Sequence, residues 1–589
     1  MQLKSFKLKD RQMVKILIVF FSLIAGSLYG QTKSVLVEAE SFSDPGGWVI
    51  DQQFIPSMGS PYLLAHGMGE AVENASTDVD FPSKGDYHYW LRTKDWIPDH
   101  ADSPGIFKLI VNSKEQMPVF GTNKSGWQWI YGGKVKISST SVKIELKDLT
   151  GFEGRCDAIY FSIDKKDFPP ETLEEMAAWR TEKLGLAASK QAGQFDLVVV
   201  GGGIAGCCAA VAAARQGLSV ALINDRSVLG GNASKEVRVH TEGLALYSIV
   251  KELNTEWYPN GHENAIPTND TIMEVVENEK NITVFLDTYV NGVSKSGNKI
   301  TLVSGFNTKT SEKIHFKGDY FVDATGDGWV GYYAGARYMT GREAKSEFNE
   351  TLAPEKGDGM TMGNTVLWNS YDAGTSSSFP NVPWAMNVAK DYKVKGGEWF
   401  WEYGMNLNTI YDAEEIRDHL FRAIYGTWAN VKADSENASL KLKWMAYIAG
   451  KRESRRIVGE YILKEEDVIN RPDFKDGFIE EKRYIDIHYP KAGKYDFLSY
   501  AAFTKIQRYK IPYRCLISKD IPNLFLAGRC FSATHVGLGS PRVMHTTAQM
   551  GVVVGYAAVL CKENNCLPID VYNNHLETLG ERLDKIKSH

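Results

Sequence analysis

The stretch "DLVVVGGGIAGCCAAVAAARQGLSVALINDRSVLGGNAS", Asp196 to Ser234, decides the fold. "FDLVVV" is an unbroken apolar run of strand length, and "SVALI" is a second. Between them Gly201, Gly203 and Gly206 stand in G-x-G-x-x-G spacing and open a run of small residues that reads as a helix to about Gln216. The first glycine permits a tight turn. The second lets backbone approach a pyrophosphate, and the third lets the helix pack close on the strand. The helix N-terminus offers N–H groups and the positive end of its dipole to phosphates. Strand, turn, helix and strand in this order predict a dinucleotide site. An acid usually meets the ribose at the end of the second strand. Asn224 stands there and can both donate and accept hydrogen bonds, so it is the ribose candidate by position, with Asp225 as the alternative.

Three later segments bear on which dinucleotide is held. "LGGNAS" (Leu229 to Ser234) follows the second strand directly. "YFVDATGDG" (Tyr320 to Gly328) reads as a strand ending in a small-residue turn. "IPNLFLAGRCFSATHVGLGSPRVMHTTAQMGVVVGYAAVL" (Ile521 to Leu560) reads as a strand, a loop and a long apolar helix. Together with "GREAKSEFNETLAPE", "GKRESRR" and "LAGRCFSATH", they resemble the FAD-dependent oxidoreductase family of the glutathione-reductase-like fold, in a glycan-associated bacterial branch. The resemblance runs from about Asp196 to Ala558. It implies an α/β, Rossmann-like FAD-binding domain at 195–341 and 511–589, interrupted by a substrate-domain insertion at 342–510. It also implies FAD contacts at Gly230, Gly231, Asn232, Gly326, Asp327, Gly528, Arg529, Arg542, Met544 and Gly551. Disulfide-reductase relatives use two nucleotide units. One is read here, which implies that electrons pass to or from a separate acceptor or donor.

A flavin carries out the hydride step, while the protein supplies orientation, charge and a proton acceptor or donor. "ATHVGLGSPR" resembles fumarate-reductase relatives, in which a His and a later Arg grip the substrate beside the flavin; His535 and Arg542 match in type. Histidine has the proton affinity for a general base, which makes His535 the first catalytic candidate. His488, alternating with apolar residues in "YIDIHYP", is the second. "GKRESRR" read at helical period puts Arg452, Arg455 and Arg456 on one face, as a carboxylate or sulfate clamp or as an ion-paired surface. "DAEEIRDHLFRAIYGTW" reads as a helix, with Asp412 and Glu415 as a capping box. "GEWFWEYG" (Gly397 to Gly404) either lines a sugar cleft or packs the core.

The N-terminal third of the chain has a different texture. Basic residues precede "ILIVFFSLIAG", too short an apolar run for a bilayer span, so residues 1–30 read as a signal peptide and the protein as secreted or periplasmic, with no stable membrane span after cleavage. Residues 33–165 show short alternating runs at roughly ten-residue spacing, which predicts an all-β sandwich. "VEAESF", "GGW" and "DAIYFSI" resemble carbohydrate-binding-like modules of secreted enzymes. That resemblance implies a structural calcium at Glu38, Glu40 and Asp157. Tyr87, Tyr89, Trp90, Trp127 and Trp129 either stack on sugar or fill the core. Residues 166–194, with a polar helix, read as a linker between independently cored units, which predicts that the flavin-binding part holds FAD without the sandwich. Seven cysteines, mostly in apolar runs, form no disulfide framework, and a formal net charge of -5 argues against a nucleic-acid partner. Three functions fit: an FAD-dependent oxidase of a carbohydrate hydroxyl, a fumarate-reductase-like reductase of an unsaturated carboxylate, and a glycan-binding protein with a relic flavin fold.

Overall fold

The structure is a computed structural model that describes residues 33–122, 125–253 and 256–588. The export segment expected at residues 1–30 lies outside the described residues.

The glycine turn follows the end of a central strand in a seven-stranded sheet. That strand is Lys190–Val200, so the predicted linker ends earlier than expected. Val220–Ile223 pairs parallel on one side and Lys313–Asp323 on the other. Ile282–Phe285 extends the first side, and Leu524–Leu526 pairs parallel beside the end of Lys313–Asp323. The antiparallel pair Thr288–Ser296 and Lys299–Asn307 completes the sheet. Leu197, Val198 and Val199 are fully buried, as a strand covered on both faces requires. The small-residue helix Ile204–Arg215 packs against the apolar helix Met544–Asn564. Gly551 is where they meet: a Cβ there would collide with the Ala205 carbonyl. Met544–Asn564 is long and apolar enough to cross a membrane, but 89% of its apolar window is buried inside the protein.

Residues 34–162 form two antiparallel sheets, one of six strands and one of four. They share one apolar cluster that includes Leu63, Phe107, Ile144 and Phe161. Strand Ser141–Asp148 shows the cause: Val142, Ile144 and Leu146 face inward between polar neighbours. Tyr87, Tyr89, Trp90 and Trp129 are all buried. Trp127 packs on Tyr62 at 4.7 Å and donates to Glu414 of the insertion. None of the five is presented to a sugar. The helix Leu173–Lys183 is fastened rather than free. Trp179 packs on Tyr160 at 4.9 Å, and the buried Arg180 lies 2.6 Å from Asp157 and 3.3 Å from Glu38.

The insertion wraps short strands around the helix Ala413–Lys432 over an aromatic core that includes Trp368, Trp401 and Trp428. Asp412 precedes that helix but makes no side-chain cap, so the expected capping box does not form; its carboxylate accepts from the Asn408 N–H instead. "GKRESRR" is not helical either. Gly450–Lys451 pairs with Asn364–Thr365, and Arg456–Ile457 pairs with Tyr338–Met339.

The two-sheet unit and the insertion share a buried polar seam. Arg155 pairs with Glu414 and Asp418 at 2.7 Å each, and Arg417 pairs with Asp51 at 2.6 Å. His66 lies 2.9 Å from Glu153, which also accepts from Tyr425. The seam ties the two units together although the two-sheet unit keeps an apolar cluster of its own. Charged residues read as surface in sequence, yet here they meet across two units.

Candidate active site

A groove opens where the glycine turn leaves the sheet. It is lined by Gly201, Gly203, Asn224, Asp225, Gly230, Gly231, Asn232, Gly326, Asp327, Gly528, Arg529, Arg542 and Met544, among others. Gly206 and Gly551 are not on its wall. A Cβ at Gly206 would strike the Gly201 carbonyl, so that glycine serves the close packing of helix on turn. Gly203 differs. A Cβ there would meet only Gly231 Cα, at 3.9 Å. The space that glycine keeps open is therefore the groove itself, where backbone meets a ligand. The helix Ile204–Arg215 starts at this point and aims its N-terminus into the groove. The donor set and the cradle fit the pyrophosphate and adenosine of FAD.

Asn224 is engaged by its own turn. Its Oδ1 accepts from the Gly202 N–H at 2.9 Å, and its Nδ2 donates to the Arg226 and Val228 carbonyls. It shapes the turn and keeps one acceptor lone pair at Oδ1, and Asp225 and Asp327 are carboxylates on the groove wall. Gly326, Gly328 and Gly331 repeat the G-x-G-x-x-G spacing, between Lys313–Asp323 and the helix Trp329–Ala334. Their turn lies on the same groove and forms no second nucleotide unit. The wall also includes Gln52, Gln53 and Pro56, from the two-sheet unit. Gln53 is anchored across the seam: its Oε1 accepts from the Ala449 N–H at 2.8 Å, and its Nε2 donates to the Tyr447 carbonyl at 2.9 Å. No sequence signal marks these residues, because glutamines after an edge strand read as solvent-facing.

A second cavity, of about 390 Å³, shares Asn232, Lys451, Arg529, Arg542 and Met544 with the groove. Its walls include Trp399, Phe400, Tyr484 and Phe503, so part of "GEWFWEYG" lines a cleft while Trp401 packs the core. Arg452, Arg483, Arg542, Asp486 and His488 also line it. Asp486 and His488 alternate on strand Ile485–Pro490 and so project from one face. His488 Nδ1 lies 2.6 Å from Glu402 and Nε2 lies 3.1 Å from Asp486. Burial works against the Asp486 charge, but Arg542, His488 and Arg483 overcome it and hold the carboxyl well below the usual range.

His535 sits elsewhere. It is buried, its Nδ1 lies 2.9 Å from Glu453, and its backbone N–H donates to Glu343. It lines neither the groove nor the cleft. The three arginines of "GKRESRR" also diverge. Arg452 reaches the cleft, Arg455 stacks on Tyr332, and Arg456 pairs with Glu343.

Glu38, Glu40 and Asp157 are buried, with carboxylate oxygens within 4.8 Å of one another. Asp157 is already engaged by Ser60, Arg92 and Arg180. Both carboxylate oxygens of Glu40 are buried without a hydrogen-bond partner.

Residues 196–583 match the model of the FAD dependent oxidoreductase family, and the chain belongs to that family. It is an FAD-dependent oxidoreductase with a Rossmann-like FAD-binding fold. No curated protein matches the chain at a significant level. Solved structures similar to it include a geranylgeranyl bacteriochlorophyll reductase-like protein from Thermoplasma acidophilum, 12% identical over 67% of this chain and 85% of that one, with a TM-score of 0.33. A myxobacterial FAD-dependent chondrochloren halogenase is 13% identical over 66% of this chain and 79% of that one, with a TM-score of 0.31. A family 35 carbohydrate binding module from Clostridium thermocellum is 16% identical over 22% of this chain and 96% of that one, with a TM-score of 0.18. Likeness at this level carries no argument about activity.

Proposed function

We propose that the protein is secreted or periplasmic and oxidises a hydroxyl of a carbohydrate or glycan-derived substrate in the aromatic-walled cleft. The observation that carries this reading is the continuity of cleft and groove through Asn232, Lys451, Arg529, Arg542 and Met544. Aromatic side chains give the apolar faces on which a sugar ring rests, and the polar groups between them orient its hydroxyls. Bound FAD supplies the two-electron acceptor for the hydride that leaves the carbinol carbon. The hydroxyl proton passes to the pair formed by His488 Nε2 and Asp486, 3.1 Å apart, as the substrate hydroxyl enters between them, while Glu402 fixes the ring through Nδ1. A carbonyl product results, and the electrons pass on to a separate acceptor. Arg542, on the wall of both cavities, holds the substrate oxygen or offsets charge that develops beside it. His488 takes the role first read for His535 because it lines the cleft and His535 does not.

The reverse chemistry, reduction of an unsaturated carboxylate, is a second reading favoured by the guanidiniums of the cleft. Anaerobic mixing of the holoprotein with mono- and oligosaccharides tests the first reading: loss of flavin absorbance is the expected result. Absence of bleaching across the panel, with re-oxidation of the chemically reduced protein by an unsaturated acid, would establish the second. Family membership sets aside the relic reading.

The domain limits 33–165, 166–194 and 342–510 belong to this proposal, with the first unit as a carbohydrate-binding-like β-sandwich whose principal task is to complete the cofactor groove. Calcium at Glu38, Glu40 and Asp157 belongs to it as well, since a hard cation would satisfy the unpartnered oxygens of Glu40.

A further inference from the structure

We propose, resting on the reading above, that the substrate carries an anionic oxygen group, a carboxylate or a sulfate ester, held in the cleft by Arg483 and Arg542. The cleft gathers five cations: Lys451, Arg452, Arg483, Arg529 and Arg542. The acids facing them are Glu242, Glu398 and Asp486 on the cleft wall, Glu402 behind it, and Asp327, which lies 2.8 Å from Lys451 and 3.8 Å from Arg529. The two named arginines share one carboxylate. Arg483 and Arg542 each place an Nη2 2.9 Å from Asp486 Oδ2. Arg483 is completed by Glu242, itself partly open to solvent.

Several donors are left over. Nη1 of Arg483 and Nε of Arg542 are buried with no hydrogen-bond partner. Nε of Arg452 and Nη1 of Arg529 are in the same state. Buried donors are ordinarily paired; these four lie just behind the cleft wall, closed to solvent, and a turn of their side chains brings them to an acceptor that the chain itself does not provide.

A neutral hydroxyl would satisfy a donor but would leave the cations repelling one another. That repulsion is present. Burial, joined by the charge of Arg542, lowers Arg452 to about 10 against the pull of Glu402. Burial also lowers Arg542, and Arg483 adds to the effect. An anion relieves both the orphaned donors and the repulsion. The planar guanidinium fork suits carboxylate and sulfate oxygens alike. Trp399, Phe400, Tyr484 and Phe503 then face the body of the ring.

Calorimetric titration of the oxidised holoprotein at constant ionic strength tests this, with D-glucose, D-glucuronate, glucose 6-sulfate and inorganic sulfate as probes. At least tenfold tighter binding of one of the charged sugars than of glucose is expected, and the two charged arms tell carboxylate from sulfate. Arg483→Gln should remove that preference while leaving glucose binding unchanged, and Arg542→Gln should remove the preference as well. Arg483→Lys should restore part of it, which a merely structural role would not do. Equal affinity for neutral and charged sugars, binding of no anionic probe, or a preference that survives both Gln variants overturns the proposal. Flavin bleaching keeps the two readings apart. Neutral sugars that bleach as fast as acidic ones sink the anion and spare the oxidation. Arginine-dependent binding of an acid that never bleaches the flavin does the reverse.

Discussion

Two buried clusters of guanidiniums and carboxylates, one at the seam and one at the cleft, differ in how completely their donors are used. At the seam, Arg155 donates from Nε to the Glu153 carbonyl, from Nη1 to Glu414 and Asp418, and from Nη2 to Asp418. Arg417 reaches Asp418, Asp51, the Tyr447 carbonyl and the Tyr62 hydroxyl. Burial would lower both arginines, yet the surrounding acids and Tyr62 raise them above their ordinary range. In the cleft, Arg452 and Arg542 are lowered, and donors of four arginines have no partner. The same residue types thus do two jobs. A closed network fixes the relative position of two units, whereas an open one is completed by a ligand. Satisfaction of the donors separates the two, and composition does not.

The largest expected effect comes from breaking the closed network. A chain that begins near Glu171 lacks Asp51, Tyr62, Lys94 and Arg155, and it uncovers the aromatic cluster of the insertion, which Trp96, Ile97 and Phe152 complete. Removing one partner of a buried pair with the other left in place costs roughly 3–5 kcal/mol, and total stability is on the order of 5–15 kcal/mol. Such a chain should be insoluble or flavin-free, which expression trials and the flavin-to-protein absorbance ratio will show. Arg155→Met in the full chain isolates one partner, with a fall in melting temperature as the readout. A soluble, yellow truncated protein would mean that the seam is dispensable.

The next effect is on the cofactor alone. Gly203 has φ -65 and ψ 170, a conformation that other residues adopt, and open space where its Cβ would be. Gly203→Val should therefore fold, with a melting temperature close to that of the FAD-stripped protein, yet retain no flavin. Gly206→Val should fail to fold, because its side chain would meet the Gly201 carbonyl. If Gly203→Val copurifies with a full complement of FAD, the groove does not hold the pyrophosphate where the glycines indicate.

These contrasts explain what was legible in the sequence. The dinucleotide turn could be read because its three glycines keep a fixed spacing between an apolar strand and a small-residue helix, within a few residues of one another. Strand Ile485–Pro490 could be read from its alternation, which brought out His488; the same period places Asp486 beside it, and that signal was passed over. The position of Asn224 was right for a ribose, but its side chain is turned into its own loop, which no spacing reveals. "GKRESRR" misled because seven residues are too few for a helical period to mean anything against the strand pairing at its two ends. The seam was illegible for a deeper reason. Its residues are charged and lie hundreds of positions apart, so burial comes only from tertiary partners.

A smaller effect separates the two histidines. His488→Ala should keep FAD and slow anaerobic reduction by substrate roughly 10²–10⁴-fold, the range for loss of a general base. The loss should shrink when small amine or imidazole bases are added, since the truncation leaves room on the cleft wall. His535→Ala should leave that rate within a few-fold of the parent and lower the melting temperature instead, because Glu453 and Arg456 lose a buried neighbour. Stopped-flow flavin reduction measures both, and the reverse ranking would return the base to His535.

The smallest expected effect lies in the acidic cluster of the two-sheet unit, which resembles the cleft in reverse: carboxylates outnumber the cations beside them. Burial raises Glu38 from 4.5 to about 7 against the opposing charge of Arg180. Burial, then Glu38 and Asp157, raise Glu40 well above 4.5. Both acids therefore bind a proton more tightly when folded than when unfolded. Where the folded state holds more protons, stability falls as pH rises. The contribution is complete below about pH 4.5 and is lost as pH passes through about 7. In chelator the melting temperature should accordingly decline from pH 5 to pH 8. Calcium competes with these protons and needs the ionised carboxylates, so its stabilising effect should grow over the same interval and oppose the decline. Glu40→Gln removes one titration and one ligand together, and should both flatten the decline and abolish the response to calcium. Identical melting curves with calcium and with chelator at pH 8 would assign the compensation of this cluster to Arg92 and Arg180 alone.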